Sequence, residues 1–411
     1  MGENLDRRLP QSTHDPCSFI DFNSVASFFL SPVTPSEISA IIGGLKVSKT
    51  YIDSISVSIM KLTSDKLSIP ISKLVNKSFQ CAAFPDPYKI ATVTPILKTG
   101  PTNDLKNYRP ISILPIYSKI LEKCICMRLV SYLTKHKILS PSQFGFQTGL
   151  STTDAILKFI EKIYASLNSK FHSISIFLDL KNAFDTVNHK ILLSKLNCYG
   201  IRGNINALFK NYLQNRFQRV RIGGTFSEMK SINVGLPQGS CLSPILFLIY
   251  INDLANISNQ YSTILFADDA TFTFCDANFD FLCDRVNQEL SKIVEWANCN
   301  RLTINTKKTV AVVFSNRAFS FNSISLCINN EPLDVKTEHK FLGITFDNKL
   351  CFQSHINFLC QKISKSIGIL YRIRKFLCLN QKFQTITVWY IHIFFTQILF
   401  GEELLLPLCH H

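Results

Sequence analysis

The chain has 411 residues, of which 46% are hydrophobic and 11% aromatic, so it is long and apolar enough to bury a sizeable core, and wholesale disorder is excluded. Its 44 lysines and arginines outnumber 29 aspartates and glutamates. The resulting charge of +15 favours a polyanionic partner, either nucleic acid or an anionic membrane surface, and does not distinguish between the two.

The 14 cysteines are scattered along the chain and follow no signal peptide, so we expect reduced, mostly buried thiols rather than a disulfide framework. Cys124 and Cys126 are too close together to form half of a zinc site. Cys351 and Cys360 lack a second ligand pair at zinc spacing. The sequence therefore predicts no structural zinc.

The N-terminal part divides into a flexible leader over residues 1–30 and a helical extension over residues 31–87. Thr34 is typical of a helix N-cap, because a proline follows it at the first helical position and Glu37 supplies the acid of a capping box. A second helical stretch is predicted over residues 57–79.

From residue 88 onward, short apolar strands alternate with amphipathic helices. The predicted elements are a strand at 91–97, a helix at 116–133, a strand at 173–180, a helix through 192–196, a strand entering a turn at 219–225, a helix at 242–254, a hairpin at 262–274, a helix at 281–298, and strands at 310–314 and 340–346. The alternation predicts an α/β or α+β domain over residues 88–347.

The last segment, residues 348–411, is predicted to be helical and basic. Its most apolar run, residues 388–400, falls short of the roughly 20 residues that a bilayer span requires. We therefore expect a buried helix or strand there, and no membrane anchor.

Three aspartates are predicted to converge. Asp179 ends an apolar strand, and Asp268 and Asp269 lie at the tip of the predicted hairpin. An isolated Asp-Asp pair is usually a solvated turn, but the flanking residues here are too apolar for an exposed loop. Two Mg²⁺ ions about 3.5–4 Å apart, held by such carboxylates, can activate a 3′ hydroxyl and stabilise charge at a phosphate.

Five motifs occur in a characteristic order: Asn107-Tyr-Arg-Pro-Ile-Ser, Gln143-Phe-Gly-Phe, Phe177-Leu-Asp-Leu-Lys-Asn-Ala-Phe-Asp, Gly235-Leu-Pro-Gln-Gly-Ser and Phe266-Ala-Asp-Asp. Together they resemble the reverse transcriptases of non-LTR retrotransposons, the LINE-like elements of the jockey type. The resemblance covers residues 88–347.

This resemblance implies a right-hand polymerase, with fingers and palm over residues 88–347 and an antiparallel palm sheet flanked by helices. A helical N-terminal extension would precede it, and a helical thumb or its remnant would follow over residues 348–411. The implied activity is RNA-directed DNA polymerisation, in which two Mg²⁺ ions, replaceable by Mn²⁺, assist transfer of a deoxynucleotide to a primer 3′ end. The implied partners are an RNA template, a DNA primer and dNTPs.

The resemblance also assigns roles to single residues. The implied metal ligands are Asp179, Asp268 and Asp269; the nucleotide contacts are Lys98, Arg109, the Leu180 carbonyl, Phe184, Gln238 and Lys308; the template and primer contacts are Gly235, Gly239, Phe341 and Gly343. Phe184 would be the steric gate that excludes a ribose 2′ hydroxyl.

Plainer interpretations of the same residues stay open. Phe184 could be a core aromatic residue, and Lys98 and Arg109 could be solvated surface bases. Asp185 lies where the next helix should begin, so we interpret it as a helix cap. Gln147 stands where the family usually has a basic residue, which puts one template phosphate contact in doubt.

Two rival functions remain at this point. A retrotransposon-derived relic could bind nucleic acid without polymerising, as the Tyr51-Ile-Asp-Ser departure from the family's Gly-x-Asp-Gly element would allow. A maturase or telomerase-like polymerase would need an RNA-binding domain, and none is recognised. No endonuclease-like segment is recognised either, so that activity would come from another domain or chain. The resemblance leaves nucleus and cytoplasm both open as locations.

Overall fold

A computed structural model of the protein describes residues 14–21, 26–46, 56–98, 100–317 and 324–373. The chain forms two compact units, of which the first comprises Met1–Ser140, Lys181–Ile257 and Glu295–Thr303. The second comprises Pro141–Leu180, Ser258–Val294 and Ile304–His411. The boundaries predicted at residues 30, 87 and 347 stay predictions, and the departure at Tyr51 and the apolar run at 388–400 lie outside the described residues.

The helices over the described ranges are α1 (Pro35–Gly43), α2 (Val57–Leu62), α3 (Ser64–Cys81), α4 (Ile116–Lys135), α5 (Thr152–Asn168), α6 (His189–Cys198), α7 (Gly203–Leu213), α8 (Ser243–Ile251), α9 (Phe279–Cys299) and α10 (Gln353–Ile373). No helix among these is both long enough and apolar enough to cross a membrane.

The strands of the same ranges are β1 (Ile90–Leu97), β2 (Tyr108–Ile113), β3 (His172–Leu178), β4 (Arg216–Ile222), β5 (Thr225–Phe226), β6 (Lys230–Ile232), β7 (Ser262–Phe266), β8 (Asp269–Asp276), β9 (Val310–Phe314), β10 (Cys327–Ile328), β11 (Glu331–Pro332), β12 (Asp334–Lys336), β13 (Glu338–Phe341) and β14 (Ile344–Asp347). Most predicted elements agree with these bounds to within a few residues.

The first unit carries a mixed sheet in the order β2-β1-β4-β5, with β6 also paired to β4. Strands β1 and β2 are antiparallel, whereas β1 and β4 are parallel. The first half of β1 is buried on both faces, through Ala91, Thr92 and Val93, whereas Ile96 and Leu97 at its end are about half exposed. The strand therefore runs from the core of this unit to its surface.

The second unit is built around β3, every residue of which is buried. Its sheet has the order β12-β9-β3-β8-β7. The pairs around β3 are antiparallel, as predicted, but β12 runs parallel to β9 at one edge. The prediction of a purely antiparallel sheet was therefore wrong at that edge, because a three-residue strand carries no sequence signal for its direction.

Aromatic side chains fill the core of the second unit around Phe159 of α5. Its ring centroid lies 5.8 Å from that of Phe177 on β3 and 5.9 Å from that of Phe314 on β9. The rings of Phe341 and Phe346 lie 5.4 and 5.1 Å away. Edge-to-face and tilted contacts at these distances favour one arrangement of the packed elements, so a single helical residue ties four strands together.

Two predicted elements divide where the chain changes direction. The helix predicted at residues 57–79 is two helices, α2 and α3, separated at Thr63. The strand predicted at residues 340–346 is the hairpin β13–β14, whose turn residues Leu342 and Gly343 have φ of 46° and 91°. Backbone with positive φ ends a strand, and Gly343 is the residue that adopts it at least cost.

The predicted cap of α1 is confirmed, because the Thr34 hydroxyl accepts a hydrogen bond from the Glu37 amide at 3.2 Å. The Glu37 carboxylate, however, binds the guanidinium of Arg128 on α4, at 2.6 Å and 3.0 Å. A bidentate pair of this kind is stronger than a bond to one backbone amide. Glu37 therefore joins two helices of the first unit.

The cysteines are more exposed than predicted. Of the 12 described free thiols, only Cys124, Cys283 and Cys299 are buried. Burial raises the pKa of Cys124 to about 12 and that of Cys283 to about 11, so these two thiols stay protonated and unreactive at neutral pH.

A buried ion pair lies at the centre of the first unit. The Lys195 ammonium on α6 binds both carboxylate oxygens of Asp253, at 2.7 and 2.8 Å, and the carbonyl oxygen of Tyr250 at 2.7 Å. Both charged side chains are fully buried. The ammonium also lies 5.3 and 5.6 Å from the ring centroids of Tyr250 and Trp296. Every donor of the ammonium therefore faces an acceptor or an aromatic ring.

Replacing Lys195→Met should lower the free energy of unfolding by about 3–5 kcal/mol, because the Asp253 carboxylate would be left buried without a counter-charge. The double substitution Lys195→Met with Asp253→Leu should recover most of that loss. Urea denaturation followed by circular dichroism measures both, with Lys190→Met, at an exposed position of the same helix, as the control. A single Lys195 variant as stable as the parent would contradict the assignment.

Candidate active site

The predicted hairpin with acids at its tip is present in the second unit. Strands β7 and β8 pair up to Phe266 and Asp269, so Ala267 and Asp268 form the connecting loop. Ala267 has φ of 56°, a conformation that is uncommon for an L residue and often found at functional sites. The side chains of Asp268 and Asp269 are exposed.

The register of β3 against β8 brings the third acid to the same edge of the sheet. Leu178 is paired with Ala270 in this antiparallel ladder. Asp179 and Asp269 are the next residues beyond this last pair on the two chains, so both lie at the same end of the ladder. The backbone thus gathers the three predicted acids at one end of the β3–β8 pair.

Asn305 fixes the orientation of Asp179. Its side-chain amide donates to Asp179 Oδ2 at 2.7 Å, and its backbone amide donates to the Asp179 carbonyl at 2.8 Å. The next residue, Leu180, is buried and forms an isolated bridge with Ile304. Sequence reasoning missed Asn305, although it begins the Asn-Thr-Lys-Lys motif that contains Lys308.

Lys308 lies in the turn that Asn305 begins. Its amide donates to the Asn305 carbonyl at 3.0 Å, and its side chain is exposed, as is that of Lys307. The second unit therefore carries an exposed lysine three residues from the asparagine that holds Asp179.

The three carboxylates do not surround one point as the ligands of a bound metal ion would. Within the part of the chain that the structure describes, no group of three or more His, Cys, Asp and Glu side chains lies close enough together to hold one metal ion. The oxygen donors are nevertheless of the kind that Mg²⁺ prefers, and two of the three side chains are exposed.

The first unit contains the predicted fingers residues. Arg109 lies on β2, opposite Ile96 of β1, and its side chain is half-buried. Lys98 follows β1 directly; its side chain is exposed, and its amide donates to the Asn107 carbonyl at 2.7 Å. The β1–β2 hairpin therefore sets the backbone positions of both bases.

Phe184 lies in a short 3₁₀ turn, Ala183–Asp185, in the first unit. Its ring stacks on Phe247 of α8 with a centroid separation of 4.4 Å, and the side chain is half-buried. Packing on one side and partial exposure on the other suit either a core-edge aromatic or a gate.

Asp185 is not a helix cap, so this prediction was wrong. The N-cap of α6 is Asn188, whose side chain accepts from the amides of Lys190 and Ile191. Asp185 Oδ1 instead accepts a hydrogen bond from the Gln238 side chain at 2.8 Å. Burial raises the pKa of Asp185, and the Gln238 bond partly offsets this effect.

Gln238 is held in its loop from both sides. Its carbonyl accepts a hydrogen bond from the Ser112 amide at 2.6 Å, while its side chain binds Asp185. Gly239 has φ of 124°, and a Cβ there would lie 2.4 Å from the Ser112 carbonyl oxygen. At Gly235, with φ of 86°, a Cβ would lie 2.7 Å from the Asp185 carbonyl oxygen. Both glycines are therefore required by contacts within the protein.

Phe341 and Gly343 occupy the β13–β14 hairpin of the second unit. The Phe341 side chain is buried, with its ring centroid 5.4 Å from that of Phe177. Any contact that this hairpin makes with a primer therefore involves its backbone or its exposed residues, while Phe341 anchors it to the core.

Comparisons with known proteins agree with this arrangement. The family model described as reverse transcriptase (RNA-dependent DNA polymerase) matches residues 96–346. The chain is 28% identical over 342 residues to the probable RNA-directed DNA polymerase from transposon BS of Drosophila melanogaster, a match that covers 80% of this chain and 37% of the relative. It is 28% identical over 384 residues to the RNA-directed DNA polymerase from mobile element jockey of the same organism, covering 90% of this chain and 42% of the relative.

The chain thus spans about two fifths of the length of these relatives. A third similar protein, the probable RNA-directed DNA polymerase from transposon X-element of Drosophila melanogaster, is 27% identical over 348 residues, which cover 83% of this chain and 38% of the relative. The predicted resemblance to the enzymes of jockey-type non-LTR retrotransposons is confirmed, and the chain belongs to the reverse transcriptase family.

Proposed function

We propose that this chain is an RNA-directed DNA polymerase that transfers deoxynucleotides from dNTPs to the 3′ end of a primer on an RNA template. The observation that carries the proposal is the β3–β8 register, which brings Asp179 and Asp269 to the same end of one strand pair, next to Asp268. Two of these three carboxylates are exposed, so a cation can reach them from solvent.

Asp179, Asp268 and Asp269 would hold two Mg²⁺ ions, for which Mn²⁺ could substitute, and the Leu180 carbonyl would add a backbone ligand. Ions bound there would lower the pKa of the primer hydroxyl and neutralise charge on the transferred phosphate. Asn305 keeps one oxygen of Asp179 hydrogen-bonded, so that side chain is oriented before any ion binds. Mutual repulsion of three carboxylates favours an open arrangement until a cation compensates for it.

The bases of the site would bind the phosphates of the incoming nucleotide. Arg109 offers a planar guanidinium on a rigid strand, which suits bidentate binding to phosphate oxygens, and Lys98 would assist as a point charge. The exposed Lys308 would lie near the leaving pyrophosphate. Phe184, braced by Phe247, would exclude a ribose 2′ hydroxyl.

The loop around Gln238 would support the nascent base pair. Its glycines are in tight contact with protein backbone, so the loop is preorganised and loses little entropy when a template binds. The β13–β14 hairpin with Gly343 at its turn would contact the primer.

An exposed β ribbon in the first unit supports a nucleic-acid partner. Over residues 216–232 the ribbon of β4, β5 and β6 carries Arg219, Arg221 and Lys230 against one glutamate, while a third arginine, Arg216, is buried. The guanidinium carbons of Arg219 and Arg221 lie 4.2 and 5.6 Å from the ring centroid of Phe226. Phe217 and Phe226 remain 40% and 44% exposed. Arginines interleaved with exposed aromatic rings suit a single strand, which offers both phosphates and stackable bases.

Asp268→Asn should reduce Mg²⁺-dependent extension of a DNA primer on an RNA template by about 1000-fold, because loss of a metal-ligand charge removes several kcal/mol of transition-state stabilisation. Template binding should stay near the parent value. Primer extension and filter binding on purified protein measure the two effects.

The matched control is Asp284→Asn, at an exposed position of α9. Extension at the parent rate by the Asp268 variant would refute the metal assignment. Template binding by a parent protein that extends no primer under any metal condition would support the rival proposal of a nucleic-acid-binding relic.

Phe184→Ala should raise kcat/KM for rNTPs relative to dNTPs by at least about tenfold, since a site that rejects a substrate by steric exclusion loses discrimination when the blocking group is removed. Phe184→Tyr keeps the ring and should retain discrimination. Single-nucleotide incorporation with each nucleotide type gives the ratio. If Phe184 only packs at the edge of the core, the Phe184→Ala variant should lose kcat/KM equally for rNTPs and dNTPs, and the ratio of the two values should stay unchanged.

The double substitution Arg219→Gln with Arg221→Gln should weaken binding of single-stranded RNA. The slope of log K against log salt should fall by about 0.7 for each phosphate that the variant no longer neutralises. Lys73→Gln with Lys77→Gln removes the same charge from the exposed face of α3 and serves as the control. Fluorescence anisotropy across a salt series measures both slopes. Equal slopes for the two double variants would exclude the ribbon as a binding surface.

A further inference from the structure

The segment that contains Gln143 runs along the outer edge of the hairpin carrying the acids. The Phe144 amide donates to the Leu265 carbonyl at 2.8 Å, and the Leu265 amide donates to the Ser142 carbonyl at 2.8 Å. Gln143 and Leu265 form a parallel bridge. This segment thus adds one paired residue beside β7 at the edge of the sheet, and the pairing ends next to the hairpin loop.

The Gln143 side chain reaches the loop itself. It is buried, with an exposed fraction of 1%, and its Oε1 accepts hydrogen bonds from the Gly145 amide at 2.9 Å and the Ala267 amide at 3.2 Å. Ala267 is the loop residue with positive φ that immediately precedes Asp268. A buried amide oxygen that accepts two backbone N–H groups resists displacement, because breaking either bond leaves a buried donor unsatisfied.

Gly145 permits this close contact because it has no Cβ atom. A Cβ at this position would lie 2.5 Å from the Ala267 nitrogen and 3.0 Å from the Phe266 carbonyl carbon. The φ of Gly145 lies outside the left-handed region, so an alanine there would meet steric overlap and no backbone penalty. Because the overlapping atoms are backbone, the loop would have to move to accommodate it.

We propose that Gln143 and Gly145 are positioning residues that clamp the Ala267 backbone and thereby set the carboxylates of Asp268 and Asp269. In this role they act through the loop backbone, by the Gln143 hydrogen bond to the Ala267 amide and by the close approach of Gly145. The catalytic part of this inference rests on the polymerase function proposed above, whereas the clamp itself is a statement about the hairpin loop.

The chemistry of the side chain fits this role. A glutamine oxygen accepts from the loop amides without adding negative charge beside two aspartates, which an ionised glutamate would do. A loop shift of about 1 Å at a reacting centre can cost about 100-fold in rate, so a modest displacement of Ala267 would have a large effect.

Three substitutions test the clamp. Gly145→Ala forces the loop to move, Gln143→Met removes the acceptor at similar volume, and Gln143→Glu keeps an acceptor oxygen. Gly43→Ala is the matched control, because a Cβ at the end of α1 meets nothing within 4 Å and Gly43 does not have positive φ. Each protein is examined by hydrogen exchange at the Ala267 amide, by Mn²⁺ titration with electron paramagnetic resonance, by thermal melting and by steady-state primer extension.

We expect Gly145→Ala and Gln143→Met to speed exchange at the Ala267 amide, weaken Mn²⁺ binding and lower kcat by about 100-fold, with little change in KM for the template. Gln143→Glu should retain protection of the Ala267 amide, and Gly43→Ala should match the parent. The outcome that overturns the clamp is parent-like exchange and Mn²⁺ affinity in Gly145→Ala and Gln143→Met, or a loss explained entirely by a lower melting temperature. A parent protein that extends no primer refutes the polymerase instead, and the exchange data still decide on the clamp.

Discussion

The candidate site depends on one interaction, the antiparallel ladder between β3 and β8. Seven consecutive residue pairs, from His172–Asp276 to Leu178–Ala270, hold the two strands in one register. A slip of one residue would turn every side chain of β3 to the opposite face, which burial on both sides makes prohibitive. The same register brings Asp179 and Asp269 to one end of the strand pair. Packing of the core therefore determines where the acids meet.

The three acids differ in their burial and in their hydrogen bonding. Asp179 is half-buried and has one oxygen bound by Asn305, whereas Asp268, in the loop, and Asp269, at the start of β8, are exposed. The site therefore combines one acid whose orientation is fixed with two that a cation can reach from solvent. The clamp from Gln143 holds the loop backbone that carries the exposed acids.

Most elements that the sequence predicted correctly have local signals, whereas contacts between residues far apart in the chain were missed. The hairpin was predictable because strong apolar runs flank an Asp-Asp pair, and β3 because seven residues suit a buried strand. The role of Asp185 was missed because its partner, Gln238, lies 53 residues away. Helix α5 was overlooked although Ser151 and Asp154 form a capping box, a local signal that could have revealed it.

Not every motif residue needs a ligand to explain it. Gly145, Gly235 and Gly239 are each required because a Cβ would collide with protein backbone, and Phe341 is required by the aromatic core. These contacts explain the four residues whether or not the chain is active, so the presence of the residues alone does not indicate catalysis.

Function is indicated instead by exposed groups of the right chemistry. Asp268, Asp269 and Lys308 are exposed charges of the second unit. Phe217 and Phe226 are large apolar rings left partly exposed between arginines, which costs solubility without any gain in packing. Exposed charges and partly exposed aromatic rings of this kind are those that a polyanionic substrate and divalent cations would use, and the net charge of +15 agrees with such partners.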